Sequence, residues 1–352
     1  MECVLKEWSQ MDVPFSKITL YTHTPLEQER LAFPLSRYHV EVIGRALPDP
    51  LWEWQSLRVV FKDLDVLFCP SYTIPLGYAG KCLVTNLGPA ENTIGSYHWW
   101  RANAYEMLYR YSARRAGKVC ACSHSVKKRL IQVYRIPPNK IKVTYLAASE
   151  AFRPIHDCTV LEQARQKYLA SNKPFILFVG KLARRHYIPN LLQAFAELKK
   201  SENVPHILLL IGPDYLKLNI PASAQKLGIH DSVIHLPYVY HTDLPPLYNA
   251  AEFFIYPASE AEGFGIPVIE AMACGTPVIT VNRGSLREFA PGATLITSSS
   301  AVAELREAMA KMIFDADLRK TLAAKGLERS RTITWRITAE KTMKMLWQLA
   351  QA

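Results

Sequence analysis

Short runs of Val, Ile, Leu and Phe recur along this chain, separated by longer stretches in which apolar residues fall at three- and four-residue intervals. Lys17–Thr22, Val40–Ile43, Val66–Cys69, Lys81–Thr85, Val119–Cys122 and Lys142–Tyr145 form a first series of runs. Phe175–Val179, His206–Ile211, Val233–Leu236, Phe253–Tyr256, Pro277–Val281 and Thr294–Ile296 form a second. Stretches of helical period, such as Ile188–Lys200, Leu244–Ala250 and Ile266–Cys274, lie between most of them. Unbroken apolar strands joined by helices predict parallel sheets covered on both faces. Two such series predict an α/β chain of two doubly wound domains with a crevice between them.

The boundary falls where regular patterning stops. Residues 150–154 (EAFRP) break it, Leu161–Ala170 reads as a short linking helix, and residues 171–174 (SNKP) punctuate the chain before the strand Phe175–Val179. The expected domains are residues 1–160 and 161–334. The remaining segment, 335–352, is helical by pattern, because Trp335, Ile337, Ala339, Met343, Leu346 and Leu349 can share one face.

Composition narrows the functional classes. The 352 residues carry 42 Lys and Arg against 31 Asp and Glu, a formal net charge of +11. That excess favours phosphate-rich ligands, anionic lipid surfaces or nucleic acid without choosing among them. No apolar run reaches the roughly 18 residues needed to span a bilayer. The first residues lack the basic start and apolar core of a secretory signal, so a cytoplasmic location is expected. Cys3, Cys69, Cys82, Cys120, Cys122, Cys158 and Cys274 are scattered, odd in number and without CxxC spacing, which argues against a disulfide framework or a zinc site. Buried thiols in a reducing compartment are the plainer reading.

Residues 258–277 (ASEAEGFGIPVIEAMACGTP) are the most informative segment. The strand Phe253–Tyr256 feeds a loop carrying Glu262. Gly263 and Gly265 let the backbone approach a ligand closely. A helix then begins near Ile266 and Pro267, proline being tolerated in a first turn. Free backbone N–H groups at that end suit a diphosphate. Glu270 follows one turn on, so the two carboxylates can reach two parts of an extended ligand and accept hydrogen bonds from sugar hydroxyls. The bland alternative, two surface carboxylates on an ordinary helix, leaves the glycines and prolines around them without a purpose.

With its glycine-rich loop between Glu262 and Glu270, this segment resembles the signature of glycosyltransferase family 4. Its members ("glycosyl transferases group 1") are retaining GT-B enzymes of polysaccharide biosynthesis and related pathways, and they use nucleotide sugars. Residues 178–186 (FVGKLARRH) resemble the segment that supplies cations to the donor diphosphate, and residues 236–239 and 243–251 resemble the strand and helix bordering the base pocket. The resemblance is clear from Tyr109 to Trp335 and fainter before it. It implies a GT-B fold of two Rossmann-like domains facing a cleft, with the final helix crossing back onto the first domain. It implies that Glu262 contacts the transferred sugar and Glu270 the ribose. Backbone groups of Gly263, Phe264, Gly265 and Ile266 would hold sugar and phosphate, with Gly180, Tyr238 and Val239 completing the donor site.

The same resemblance implies a hexose moving from a GDP- or UDP-linked donor, with mannose the mild preference, to a sugar or lipid-linked acceptor. Charge on the departing phosphate would be met by Lys181, Arg185 and the helix N-terminus, with no protein nucleophile, no cofactor and no metal. The Asp-x-Asp pairs Asp63/Asp65 and Asp315/Asp317 read as capping residues rather than metal ligands. The family usually has Arg after the glycine and Lys about five residues later; here those positions are Lys181 and His186, and lysine is a point charge where arginine is a fork. A basic cluster of Arg110, Arg114, Arg115, Lys118, Lys127, Lys128 and Arg129, beside Trp99, Trp100, Tyr105, Tyr109 and Tyr111, reads by default as a solvated face. Its functional reading is a patch resting on an anionic membrane. Nucleic-acid binding is disfavoured, since no recognition module accompanies the charge.

Two features depart from the family pattern. The chain opens on a segment that reads as the first helix, with Lys17–Thr22 as strand two, so the first domain is expected to lack its first strand and the loop after it. A start further upstream would supply both. After Lys81–Thr85 the family's usual His is replaced by Asn86, which is expected to line the acceptor cleft; His98 is the nearest alternative, read as structural before catalytic. Both departures motivate a second hypothesis, a noncatalytic GT-B-like binding or partner protein. Retention of Lys181, Glu262 and Glu270 argues against it. A nonhydrolysing epimerase or a phosphorylase of the same fold is a third, which this motif does not suit.

Overall fold

The computed structural model describes residues 1–44, 57, 64–89 and 99–352. The chain divides into two compact units, one made of Met1–Ala90, Trp100–Leu146 and Thr334–Ala352, the other built on Ala147–Ile333.

The first unit opens on helix α1 (Glu2–Ser9), whose Val4, Leu5 and Trp8 share a buried face. Strands β1 (Thr19–Thr22) and β2 (His39–Val42) form a two-stranded parallel sheet. Strands β3 (Leu67–Cys69), β4 (Cys82–Asn86), β5 (Lys118–Ala121) and β6 (Ile141–Val143) form a four-stranded parallel sheet in that order, with α2 (Trp99–Arg115) and α3 (His124–Tyr134) as crossovers. No described strand precedes α1, and among the described strands none joins β1 to β3. Both sheets pack on one cluster all the same: Leu20 and Phe68 lie against Val4, Leu5, Trp8, Met343 and Leu346. The last two residues come from the C-terminal helix α12 (Trp335–Gln351), which belongs to this unit and is capped by the Thr334 hydroxyl accepting from Ile337 N–H. Trp8 Nε1 donates to the Ala339 carbonyl at 3.0 Å, pinning α1 to α12.

The second unit runs α4 (Cys158–Leu169), β7 (Phe175–Val179), α5 (Ile188–Glu202), β8 (Ile207–Ile211), α6 (Ile220–Lys226), β9 (Val233–Leu236), α7 (Leu244–Ala250), β10 (Phe253–Tyr256), α8 (Ile266–Ala273), β11 (Val278–Val281), α9 (Leu286–Phe289), β12 (Leu295–Thr297), α10 (Val302–Phe314) and α11 (Ala316–Arg331). Its sheet is wholly parallel, in the order β12-β11-β10-β7-β8-β9. The central strands are apolar on both faces because helices cover both; all of β8 and β10 is buried. Helix α5 contributes Leu191, Leu192, Phe195 and Leu198 from one face, each such side chain stabilising by about 1.5–3 kcal/mol when fully buried.

The chain winds outward from β7 through β8 to β9, then restarts at β10 and winds the other way. Neighbouring loops after β7 and β10 therefore diverge, which is the topological switch point where open α/β sheets bind ligands. The loop after β7 is kept close to the sheet by two glycines. A Cβ at Gly212 (φ +134°) would lie 2.1 Å from the Gly180 carbonyl oxygen, a backbone contact that cannot yield. Gly212→Ala is accordingly expected to destabilise by about 2–4 kcal/mol, combining backbone strain with overpacking. Gly228→Ala, where φ is +70° and nothing lies within 4 Å, should lose only the ~1–2 kcal/mol of a left-handed residue. Denaturant melts of both variants test this; equal losses would mean that the Gly180–Gly212 contact does not constrain the loop.

Candidate active site

The two loops that leave the switch point carry the polar residues. After β7 come Gly180 and Lys181, then a single 3₁₀ turn, Arg184–His186, that leads into α5. His186 is completely buried. Its Nδ1 lies 2.5 Å from the Lys181 carbonyl, which can only accept, so Nδ1 carries hydrogen. Its Nε2 lies 3.0 Å from the Tyr256 hydroxyl and 3.1 Å from Glu262 Oε2.

Glu262 belongs to the loop after β10. Its Oε2 also accepts from the Tyr256 hydroxyl at 3.2 Å and from Arg185 Nε at 3.3 Å. All these contacts fall on one oxygen; among the described residues Oε1 has no hydrogen-bond partner. Burial alone would raise the Glu262 pKa, but His186, Arg185 and Tyr256 outweigh it and hold the carboxyl below its ordinary value. Tyr256 is driven well above its ordinary value, by burial first and by the Glu262 charge second.

Gly265 ends this loop at φ +86°, in the left-handed region, and is the N-cap residue of α8; Pro267 sits in the first turn. The loop is held from behind by the turn before α9. The Ser285 hydroxyl donates to the Phe264 carbonyl at 2.9 Å, Gly284 N–H donates to Glu260 Oε2 at 3.0 Å, and Arg287 pairs with Glu260. Phe264 is buried, its ring 5.1 Å from that of Phe289. Gly263 and Ile266 flank it on the same stretch of backbone.

Glu270 lies one turn into α8 and meets a different environment. Its Oε2 accepts from the buried Tyr248 hydroxyl at 3.1 Å. Burial pushes its pKa up to about 7, and the Tyr248 hydrogen bond opposes that only partly. Two carboxylates eight positions apart thus have opposite shifts, because one faces cations and the other a phenol.

The other sequence candidates are more dispersed. The Lys181 side chain is exposed, its ammonium 5.3 Å from the centre of the Tyr215 ring; its carbonyl, not its charge, joins the cluster. Tyr238 is exposed and meets Tyr240 edge to face at 5.5 Å, whereas Val239 is buried. Asn86 ends β4 in the first unit, fully buried, with Oδ1 accepting from Gly88 N–H at 2.9 Å and Nδ2 without a partner among the described residues. His98 and Asp63 lie outside the described residues. Asp315 caps α11, accepting from Leu318 N–H at 2.8 Å. Tyr248 and Tyr256 were not foreseen as site residues. Their signal was a phenol within or beside a buried apolar run, since a buried hydroxyl must find a partner.

Known proteins share this architecture. The family model described as glycosyl transferases group 1 matches residues 161–329, and that of glycosyltransferase family 4 matches residues 16–148. The chain is 29% identical over 284 residues to the O-antigen chain mannosyltransferase B of Escherichia coli, covering 80% of this chain and 68% of that protein. Sucrose-phosphate synthase from Thermosynechococcus elongatus superposes with a TM-score of 0.75 at 18% identity, over 98% of this chain and 91% of that one. Anabaena Alr3699/HepE, solved in complex with UDP and glucose, gives 0.74 at 16% identity, over 98% and 95%. Family models aligned to both units, on parallel sheets in two Rossmann-like domains of GT-B type, place this chain in glycosyltransferase family 4, a family of transferase enzymes.

Proposed function

We propose that this protein is a retaining hexosyltransferase that takes a nucleoside-diphosphate sugar, with mannose the preferred hexose, and passes the sugar to a saccharide or lipid-linked saccharide. The observation that carries the proposal is the convergence on Glu262, at the switch point of the second unit, with one carboxylate oxygen saturated by protein and the other without a partner among the described residues. That second oxygen suits a sugar hydroxyl. Glu270, eight residues on, suits the ribose, so both ends of a donor meet an acid. The named mannosyltransferase relative supports mannose, and the UDP complex of a structural neighbour supports a nucleotide site.

Chemistry follows from charge. Departure of the nucleotide builds negative charge on the β-phosphate. Arg185, Lys181 and the N–H groups that open α8 are the chain's means of stabilising it, and a preorganised site does so without reorganisation. The acceptor hydroxyl attacks on the face the phosphate leaves, its proton passes to that phosphate, and configuration is retained. No protein nucleophile and no metal is required by this route.

Among the described residues no helix is long and apolar enough to cross a membrane. In the first unit, α2 exposes Trp100, Met107 and Tyr111 on one face, with Arg110 and Arg114 exposed beside them. Apolar tips flanked by cations suit an anionic bilayer that carries the acceptor.

Three outcomes are expected. Glu262→Ala should lower kcat by roughly 100- to 1,000-fold while the Kd for GDP or UDP changes less than about threefold; equal losses in both would remove the sugar contact. Glu270 ionises through about 7 in the folded chain, so donor affinity should rise about tenfold from pH 6 to pH 8. In the unliganded protein the sign runs the other way. The folded chain holds that proton above the unfolded value of 4.5, so stability falls as pH rises from 4.5 to about 7. Glu270→Gln should therefore flatten the binding profile and raise Tm at pH 8, reflecting relief on the order of 3 kcal/mol, and leave Tm at pH 4 unchanged. Finally, the protein should sediment with phosphatidylglycerol vesicles and not with phosphatidylcholine, and the double variant Met107→Glu, Tyr111→Glu should stay in solution; indifference to headgroup charge would count against the membrane role.

A further inference from the structure

We infer that His186 is a positioning residue for Glu262 and not a ligand of the donor diphosphate, an inference that rests on the transferase reading above. His186 stands where family members usually carry a phosphate-binding lysine, yet it offers a diphosphate nothing. It is completely buried, and an imidazole has two ring nitrogens. One faces the Lys181 carbonyl at 2.5 Å, and the other faces Tyr256 and Glu262 at 3.0 and 3.1 Å. A phosphate oxygen could enter only by displacing one of these partners.

Packing fixes the ring as firmly as the hydrogen bonds do. It lies 5.6 Å from the Phe178 ring at 64° and 5.0 Å from the Tyr256 ring at 51°, while Tyr256 stacks on Phe178 at 5.8 Å. The imidazole is thus wedged between the ends of β7 and β10, the two strands of the switch point. A lysine could swing to a ligand; this ring cannot.

Counting hydrogens shows what the ring controls. With Nδ1–H given to Lys181, an Nε2–H donated to Glu262 makes the ring an imidazolium. Tyr256 then spends its single hydroxyl hydrogen on the same carboxylate oxygen, and with Arg185 three donors clamp Oε2. If Nε2 is bare, Tyr256 donates to it instead, and Arg185 alone remains on Glu262. Among the described residues the titratable groups in contact with the ring are Glu262 and Tyr256, and Arg185 meets the same Glu262 oxygen. Through Nε2 and the Tyr256 hydroxyl the buried ring thus sets which Glu262 oxygen the protein holds, and Oε1 is the oxygen left for the sugar. The charge that meets the diphosphate is left to Lys181 and Arg185.

The test uses the full chain and the variants His186→Gln and Tyr256→Phe. Steady-state kinetics with the donor that the wild type accepts, and calorimetric binding of GDP and UDP, should show kcat lowered about 10- to 100-fold in both variants with nucleotide Kd within twofold. A second readout needs no turnover: ¹³C NMR titration of the Glu262 carboxyl, identified by its loss in Glu262→Gln. Its midpoint should move up in His186→Gln and, by less, in Tyr256→Phe. If His186→Gln fails to fold, Tyr256→Phe carries both readouts. A tenfold weaker nucleotide Kd with kcat retained, or an unmoved Glu262 midpoint, would overturn the assignment. A wild type that transfers no sugar from any donor would defeat the transferase reading, while the NMR midpoint would still decide whether His186 holds Glu262.

Discussion

An ionised carboxylate cannot be taken out of water without replacement partners; several kcal/mol oppose it even after the protein relaxes. Glu262 meets that constraint by gathering Arg185, His186 and Tyr256 on one oxygen. The surrounding structure serves that meeting. Gly180 and Gly212 let the loop after β7 press close to the sheet, so Arg185 and His186 arrive beside the end of β10. Gly265 turns the loop after β10 into α8, and the 284–287 turn braces it from behind. Each device is local, and each would be pointless without the carboxylate it delivers.

The contrast between Glu262 and Glu270 follows from the same physics. Both are largely withdrawn from solvent. Glu262 has cationic and hydroxyl donors and stays ionised; Glu270 has one phenol and is lifted toward neutrality. Residues that push paired titratable groups apart are a mark of sites where charge is made and moved. In the proposed function the division would have a use: a charged carboxylate for the hexose, and a carboxyl for the ribose whose charge responds to ligand and to pH.

The first unit shows a different economy of contacts. Its core is closed by helices from the two ends of the chain, with Trp8 bonded to the Ala339 carbonyl across 331 positions. The two-stranded and four-stranded sheets do not pair among the described strands, yet both rest on that helical cluster. Among the described residues, helix packing rather than a continuous hydrogen-bonded sheet couples β1 and β2 to the rest of the unit.

The sequence by itself determined the strand and helix order, because burial on both faces leaves an unbroken apolar run and helices leave a period of 3.6. The predicted runs fall within two residues of the observed strands, from Thr19–Thr22 to Leu295–Thr297. It also marked Glu262, Gly265 and Glu270, since glycine and proline around acids are local features of one loop. Only the tertiary structure decided what those acids touch. Tyr256 and His186 are 70 positions apart, and Tyr248 precedes Glu270 by 22; no period or motif connects them. Parallel pairing of β10 with β7 brings them together, and long-range pairing of that kind is fixed by the whole sheet rather than by any segment within it.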